Sequence, residues 1–266
     1  MSVHSAMSIS VSGLNAYATA LEVVSDNIAN TGTTGYKAET TSFADMVAGY
    51  YSTGTSATER EGSGASVIDV SKDFSSGSIN TTGTWSDMAL VGNGFFNVKD
   101  SSGATSYTRD GSFSMDSSGY LVNAEGYQVL GSDGNAIQVE TDPSNPKYSN
   151  YYANSSGQIY GNPVDGGDAV AIGSPLRVTT FANPNGLVRS GQNMYTQGYD
   201  SGTAVNGTAG DGIRGTVSDY SLEGSNVDLA SEMVKMISYQ ADYNANSKSI
   251  TTANNMIETV LNLVQR

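Results

Sequence analysis

The feature that most constrains the fold is a change in hydrophobic period along the chain. Both ends repeat at alternating spacings of three and four residues, whereas the middle repeats every two. The N-terminal series is Met7, Val11, Leu14, Ala18, Leu21, Ser25 and Ile28, and the C-terminal series is Leu229, Met233, Met236, Gln240, Tyr243, Ser247, Ile250, Asn254, Ile257, Leu261 and Val264. A mean repeat of about 3.5 residues keeps one stripe of a helix facing a neighbour along its length. The sequence therefore predicts terminal helices that pack on each other and on copies of themselves.

Assembly, rather than catalysis, is the first hypothesis that follows from these stripes. Its expected subunit-packing residues are Met7, Val11, Leu14, Leu21, Ile28, Leu229, Met233, Met236, Tyr243, Ile250, Ile257, Leu261 and Val264. Three polar positions interrupt the C-terminal series, namely Gln240, Ser247 and Asn254. Buried polar groups can set the register between helices at some cost in stability, so these three are candidates for that role.

The middle of the chain is expected to be β-structure. Short apolar runs such as Met88-Ala89-Leu90-Val91 and Phe95-Phe96-Asn97-Val98 are separated by glycine turns, and the turn sequence Asp-Ser-Ser-Gly occurs at 100–103 and again at 116–119. Short strands at even spacing favour an antiparallel barrel or sandwich. The predicted fold class is α+β, mainly β, with terminal α-helices pairing as an inner coiled-coil core around a central antiparallel β-barrel or sandwich domain.

The same patterns divide the chain into domains. Residues 1–46 and 223–266 form a discontinuous helical core domain, and 67–222 form the β-rich domain. Between them, 47–66 consist largely of Gly, Ser, Thr, Ala and Tyr and are expected to be an extended connecting segment. Residues 141–175 contain four of the five prolines and are expected to be an excursion from the β-rich domain.

Charge and composition exclude several classes of function. The net charge is −14, and the 12 Lys and Arg residues form no cluster, so nucleic acid and anionic membranes are not expected partners. The chain has no Cys, which excludes disulfides and thiolate chemistry. Its N-terminus has neither the basic region nor the apolar region of a signal peptide, and no apolar run is long enough to span a membrane.

No motif points to an active site. The chain has a single histidine, His4, which we interpret as an ordinary helix residue, and Gly92-Asn93-Gly94 lacks the Lys-Ser/Thr that completes a phosphate loop. The Asp165-Gly166-Gly167-Asp168 turn lacks the repeat of calcium-binding β-rolls. We therefore expect no catalytic, cofactor-binding or metal residues, no cofactor and no small-molecule substrate. The alternative from another class is an acidic secreted β-domain enzyme or adhesin, which would form a small oligomer with a ligand-binding cleft.

Several sequence blocks also carry a resemblance, in the same order and over nearly the whole chain. They are Ser12-Gly13-Leu14-Asn15-Ala16, Asp26-Asn27-Ile28-Ala29-Asn30, Thr34-Gly35-Tyr36-Lys37, Gly92-Asn93-Gly94-Phe95-Phe96, Tyr107-Thr108-Arg109-Asp110-Gly111, Gly119-Tyr120-Leu121-Val122 and Leu222-Glu223-Gly224-Ser225-Asn226-Val227-Asp228-Leu229. Together they resemble the bacterial flagellar rod and hook family.

The resemblance implies an axial structural protein and not an enzyme. It implies a helical homo-polymer whose terminal helices line a central channel, with the β domain outside. It also implies export through the type III apparatus without a cleaved signal peptide, and location in the flagellar hook or basal body. The implied partners are other copies of the chain, adjacent rod and hook–filament junction proteins, the hook cap, the export apparatus and, for a distal rod protein, the LP ring.

Within the family, two members fit. Ser42-Phe43-Ala44-Asp45-Met46 and 181–187 are most similar to hook proteins, so the hook, a universal joint transmitting torque to the filament, is the favoured interpretation. The alternative is the distal rod, a rigid drive shaft, because 141–175 is too short for the extra outer domain of a hook protein. The segment 47–66 also lies where distal rod proteins carry an extended stretch.

Overall fold

The computed structural model describes residues 3–52, 58–141 and 146–264. The chain divides into two units, each assembled from separate segments. The helical unit comprises Met1–Asn30, Ala38–Asp73 and Val227–Arg266, and the β unit comprises Thr31–Lys37 and Phe74–Asn226. The predicted pair of terminal helices with a mainly β middle is confirmed.

Two helices dominate the helical unit. Helix α1 is Val3–Ala29 and helix α2 is Leu229–Val264, so their lengths are about 40 Å and about 54 Å at 1.5 Å per residue. Asp228 caps α2, because its carboxylate accepts hydrogen bonds from the Ala230 N–H (3.0 Å) and the Ser231 hydroxyl (2.9 Å). The Ser231 hydroxyl, with the backbone N–H groups, lowers the pKa of Asp228.

A long antiparallel hairpin completes the helical unit. Its strands are β1, Glu39–Ser52, and β2, Thr58–Lys72, paired from Glu39 opposite Lys72 to Ser52 opposite Thr58. The segment 47–66, expected as an extended connection, falls within this hairpin, except that 53–57 lie outside the described residues. The strand expected at 67–70 is part of β2, so the β unit resumes at Phe74 rather than at Val67.

The β unit contains sixteen strands among the described residues. They are β3 (Ile79–Thr81), β4 (Met88–Val91), β5 (Phe95–Lys99), β6 (Thr105–Thr108), β7 (Ser114–Met115), β8 (Leu121–Val122), β9 (Gln128–Val129), β10 (Tyr148–Ala153), β11 (Ile159–Pro163), β12 (Val170–Ile172), β13 (Arg177–Thr180), β14 (Val188–Gly191), β15 (Met194–Thr196), β16 (Val205–Thr208), β17 (Thr216–Asp219) and β18 (Ser221–Glu223). Turns with an Asx side chain separate several of them. The Asp100 and Asp116 carboxylates each accept a hydrogen bond at 2.8 Å from the N–H two residues on, and Gly103 and Gly119 complete these turns with positive φ.

The strands form open sheets, so of the two predicted architectures, barrel and sandwich, the barrel is wrong. The largest sheet has the path β14-β15-β6-β5-β9-β8-β7, with β13 pairing both β5 and β16. Among the described strands, the end members β14 and β7 do not pair with each other, which closure would require. Evenly spaced turns predict antiparallel neighbours, but they do not specify whether the first and last strands meet.

The excursion predicted at 141–175 is a three-stranded sheet in the order β10-β11-β12. Its side chains Tyr151, Ile159 and Ile172 are buried in the same cluster as Met88 and Leu90 of β4. Packing of this kind makes the excursion part of the core of the β unit.

A buried carboxylate anchors the start of this excursion. Glu140 accepts hydrogen bonds from the Thr141 N–H (3.0 Å), the Lys147 N–H (2.9 Å) and the Tyr151 hydroxyl (3.2 Å). Burial, together with the negative charge of Glu140, raises the pKa of Tyr151 to about 12. One side chain therefore ties Thr141 and Lys147 to Tyr151 of β10.

Candidate assembly surface

The face that α1 buries within the helical unit is made of small and polar side chains. They are Ser10, Gly13, Ala16, Ala20, Val24 and Asn27. Small side chains allow a neighbouring backbone to approach closely, but each one removes little apolar surface from water. This face therefore gives α1 a close partner without a large hydrophobic stabilisation.

Helix α2 meets this face with side chains seven residues apart: Glu232, Tyr239, Asn246 and Ala253. Asn27 Nδ2 donates to Glu232 Oε2 (3.2 Å), the Tyr17 and Tyr239 ring centroids are 6.0 Å apart, and Ala253 is buried. We call these four residues and the six buried residues of α1 the helix seam.

The contacts across the helix seam fix an antiparallel register. Asn27 faces Glu232, and Gly13 faces Asn246, so both helices advance by 14 residues between the two contacts. A Cβ atom at Gly13 would lie only 2.9 Å from Asn246 Oδ1, which explains a glycine in the middle of a helix. The helices pair within the chain, and their supercoiling as a coiled coil remains a prediction.

Asn27 also joins the seam to the hairpin. Its Nδ2 donates to the Glu39 carbonyl (2.7 Å), and its Oδ1 accepts from the Glu39 N–H (2.9 Å). The Glu232 carboxylate that faces Asn27 is paired with Lys235 at 2.7 Å. One buried amide therefore links α1, β1 and α2.

An aromatic cluster reinforces the same three elements. The ring of Phe43 on β1 lies 5.6 Å from that of Tyr17 and 6.0 Å from that of Tyr239. These separations are typical of favourable aromatic pairs. Burial, with the nearby Asp242 carboxylate, raises the pKa of the Tyr17 hydroxyl.

The large apolar residues expected to make subunit contacts mostly lie beside the seam rather than in it. Exposed in the chain are Val11, Leu229, Met233, Tyr243, Ile257 and Leu261, and half-buried are Met7, Leu14, Leu21, Ile28, Met236 and Ile250. Val264 ends α2, and its side chain is outside the described part. The expected register-setting residues are exposed and lie outside the seam; they are Gln240, Ser247 and Asn254. The polar residues in the seam are instead Asn27, Glu232 and Asn246, together with Ser10.

A further set of exposed apolar residues on α2 was missing from the sequence prediction. It consists of Val234, Ile237, Met256, Val260 and Leu263. They fall outside the single stripe on which the prediction was based. The signal that could have identified the seam was the seven-residue spacing from Glu232 to Ala253, which is hidden because two of its four residues are polar.

The β unit contains a second noteworthy arrangement, a buried ionic cluster. Lys37 Nζ lies 2.8 Å from Glu223 Oε1, and Arg109 Nη1 lies 3.4 Å from Glu223 Oε2. The exposed fractions of the three residues are 1%, 2% and 1% for Lys37, Arg109 and Glu223. The Gly77 N–H also donates to Glu223 Oε1 (2.9 Å), and Lys37 donates to the Ser75 carbonyl (2.6 Å).

Burial sets the electrostatics of this cluster. It lowers the pKa of Arg109, and the Glu223 charge opposes that shift. The Arg109 guanidinium also lies over the Phe95 ring, 5.4 Å from its centroid. The cluster joins three distant parts of the sequence: the segment after α1, the loop after β6 and the end of β18.

Among the described residues, the side chains that could take part in catalysis or bind a metal lie apart from one another. His4 is exposed on α1, and Asp165–Asp168 form an exposed turn. Within 3–52, 58–141 and 146–264, no three His, Asp or Glu side chains are placed to hold a metal ion together. Neither described helix has the length and apolarity needed to cross a bilayer.

Three family models match the chain, one in each region carrying the ionic cluster. The model described as "Flagella basal body rod protein" matches residues 7–37, "Flagellar hook protein FlgE/F/G D1 domain" matches 89–161, and "Flagellar basal body rod FlgEFG protein C-terminal" matches 219–263. Lys37, Arg109 and Glu223 each fall within a different one of these segments. Three of the motifs that carried the resemblance therefore contact each other in the folded β unit through the side chains of these three residues.

Curated relatives extend the match to nearly the whole chain. The flagellar basal-body rod protein FlgG of Bacillus subtilis is 35% identical over 95% of this chain and 96% of its own length. FlgG of Agrobacterium fabrum is 33% identical over 96% and 97%. The flagellar hook protein FlgE of Escherichia coli is 26% identical over 97% of this chain and 100% of its own length.

Proteins of this class are axial structural components of the flagellum and not enzymes. They polymerise with each other and with neighbouring flagellar components. The chain belongs to the flagellar rod and hook family, as its sequence motifs predicted. Its flagellar location follows from that membership.

Proposed function

We propose that this chain is a subunit of the distal rod that polymerises through its terminal helices, which pair as an inner coiled-coil core. One observation carries the polymerisation: the face that α1 buries is made of small and polar residues, while ten large apolar side chains of α2 are exposed. Burying a half-exposed side chain of this kind contributes about 1 kcal/mol. Ten would contribute on the order of 10 kcal/mol, enough to offset much of the cost of association.

The lengths of the relatives favour the rod over the hook. The two rod proteins align with this chain over 263 and 265 positions, which is nearly the whole of each chain. The alignment with the Escherichia coli hook protein runs over 409 positions against the 266 residues of this chain. That hook protein therefore carries a long segment that has no counterpart here, and the three-stranded sheet at 148–172 is too small to replace it.

The hook remains the second candidate, because residues 42–46 and 181–187 are similar in sequence to hook proteins. A rod subunit would have as partners other copies of itself, the adjacent axial proteins and the LP ring that surrounds the rod. A hook subunit would instead meet the hook cap and the hook–filament junction. Both would pass through the type III export apparatus before assembly.

Electron microscopy of the native assembly containing this chain distinguishes the two candidates. A straight cylinder crossing the cell envelope is expected for the distal rod. A curved tube outside the envelope would instead identify the hook.

Polymerisation through the helices has its own test. Leu261→Asp, on the exposed apolar part of α2, should abolish polymer formation, whereas Ser247→Asp, on an exposed polar position of the same helix, should retain it. Normal polymers from Leu261→Asp would refute the proposed role of the helices.

A further inference from the structure

The C-terminal end of α2 extends beyond the described residues of α1. On the register set by the helix seam, Val3 lies opposite Met256, so 257–264 project about 12 Å past the first described residue of α1. The projecting segment presents apolar side chains, with Val260 58%, Leu261 55% and Leu263 70% exposed. We call residues 257–264 the α2 tip.

A groove of about 350 Å³ lies elsewhere on the helical unit, between α1 and the hairpin. Its α1 side is formed by Ser12, Asn15 and Thr19, and its hairpin side by Met46, Ala65 and Val67. The hydroxyl of Ser12 accepts a hydrogen bond from the Ala65 N–H (3.3 Å), which joins the two sides of the groove. We call this the hairpin groove.

We propose that the hairpin groove receives the α2 tip of a second copy of this chain. The inference rests on the proposed function, and it specifies which surfaces of two neighbouring subunits meet. The contact is heterologous, because tip and groove are different surfaces, and repeating such a contact generates an open-ended polymer.

The geometry excludes the chain's own tip as the occupant. On the seam register, Ser12 and Thr19 lie opposite α2 positions 247 and 240. From the middle of that span to the middle of the tip, α2 rises by about 25 Å. A continuous helix cannot fold back over this distance, so the tip in the groove must come from another copy. For two copies related by a shift along the helix axis, that shift is about 25 Å.

Both surfaces are nearly uncharged, and the groove offers the side chains of Ala16, Met46 and Val67 to the apolar tip. The residues forming the hairpin groove carry no charge, and the last sixteen residues of α2 carry one, Glu258. The groove therefore has no charge to remove from water, and the tip has only Glu258, in a protein whose net charge is −14. Methionine at the rim of the groove, Met46, adapts its shape to the branched side chains of the tip.

Cysteine cross-linking tests the contact directly, because the natural chain contains no Cys. Full-length Ser66→Cys, in the groove, and full-length Leu263→Cys, in the tip, are mixed, assembled and oxidised. A disulfide requires Cα atoms within about 7 Å. We expect disulfide-linked dimers at least about tenfold above those formed by Leu263→Cys with Ser101→Cys, an exposed turn position of the β unit.

Polymer formation is measured in the same samples by electron microscopy, which separates the two proposals. Polymers without the groove–tip disulfide, also when Thr19→Cys replaces Ser66→Cys, would overturn the inference and leave the proposed function standing. A wild-type chain that forms no polymer would overturn both. A second readout is Val260→Asp, which should lower the cross-linking yield about tenfold, whereas Ser249→Asp, outside the tip, should not.

Discussion

Removing the charge of Glu223 should strongly destabilise the β unit. This carboxylate accepts from Lys37 Nζ at 2.8 Å, the Gly77 N–H at 2.9 Å and Arg109 Nη1 at 3.4 Å. Glu223→Gln keeps the shape but turns one acceptor oxygen into an NH₂ group that faces a donor. It also leaves the two buried cations without their shared anion.

The magnitude follows from the burial of all three groups. Breaking a buried ion pair by removing one partner typically costs about 3–5 kcal/mol, because the remaining charge stays out of water. Domains of this kind are stable by about 5–15 kcal/mol, so the substitution should remove roughly a fifth or more of the total. The matched control is Glu125→Gln at an exposed turn, which should change stability by less than about 0.5 kcal/mol.

Trp85 provides the assay. It is the one tryptophan of the chain, and its ring lies 4.6 Å from that of Tyr151 inside the β unit. Urea unfolding of the full-length protein, followed by tryptophan fluorescence, therefore reports on this unit. In a double-mutant cycle with Lys37→Met, the loss should fall short of the sum of the single losses by about 1–3 kcal/mol. A Glu223→Gln midpoint equal to that of Glu125→Gln would show that the reasoning is wrong.

Three further predictions concern other contacts. Asn27→Ala removes two hydrogen bonds to the Glu39 backbone and one to the Glu232 carboxylate, and should lower the stability of the helical unit by about 1–3 kcal/mol. Thermal unfolding followed by helical circular dichroism should show a lower midpoint for this variant, but not for Asn244→Ala at an exposed position of α2. Gly13→Val should separate α1 from α2, because its Cβ meets Asn246, and proteolysis of α2 should become faster, while exposed Ser25→Val leaves the rate unchanged. The raised pKa of Tyr151, about 12 against 10.0, means that the unfolded chain loses this proton first. Stability should therefore fall as pH rises from about 10 to about 12, and Tyr151→Phe should reduce that fall in pH-dependent urea unfolding.

Local patterns predicted the helices well, because a long 3.5-residue period has few alternative explanations. The observed helices, Val3–Ala29 and Leu229–Val264, contain the whole of both predicted residue series, from Met7 to Ile28 and from Leu229 to Val264. Which face of each helix packs against the other was harder to predict, because the prediction was based on the largest apolar side chains. The helix seam instead uses Gly13, Ala20 and Asn27, whose value lies in close approach and hydrogen bonding rather than in apolar area.

Long-range pairing was beyond the reach of sequence patterns. Strand β13 pairs with β5 across about eighty residues, a partner that no local pattern indicates. Lys37, Arg109 and Glu223 were all present in the motifs that suggested the family, yet nothing in a local pattern shows that three charges will be buried together. The interior position of a charge depends on the partner supplied by a remote segment.

The scarcity of charge at one end of the helical pair has a consequence for solution conditions. From Val3 to Leu21, α1 carries no acidic or basic residue other than His4, and the last sixteen residues of α2 carry Glu258 alone. Contacts made there should be nearly indifferent to ionic strength. Repulsion between subunits of charge −14 acts over longer distances and is screened within about 10 Å at 0.1 M salt. Raising the salt concentration should therefore promote growth of the polymer, the reverse of what an assembly held by salt bridges would show.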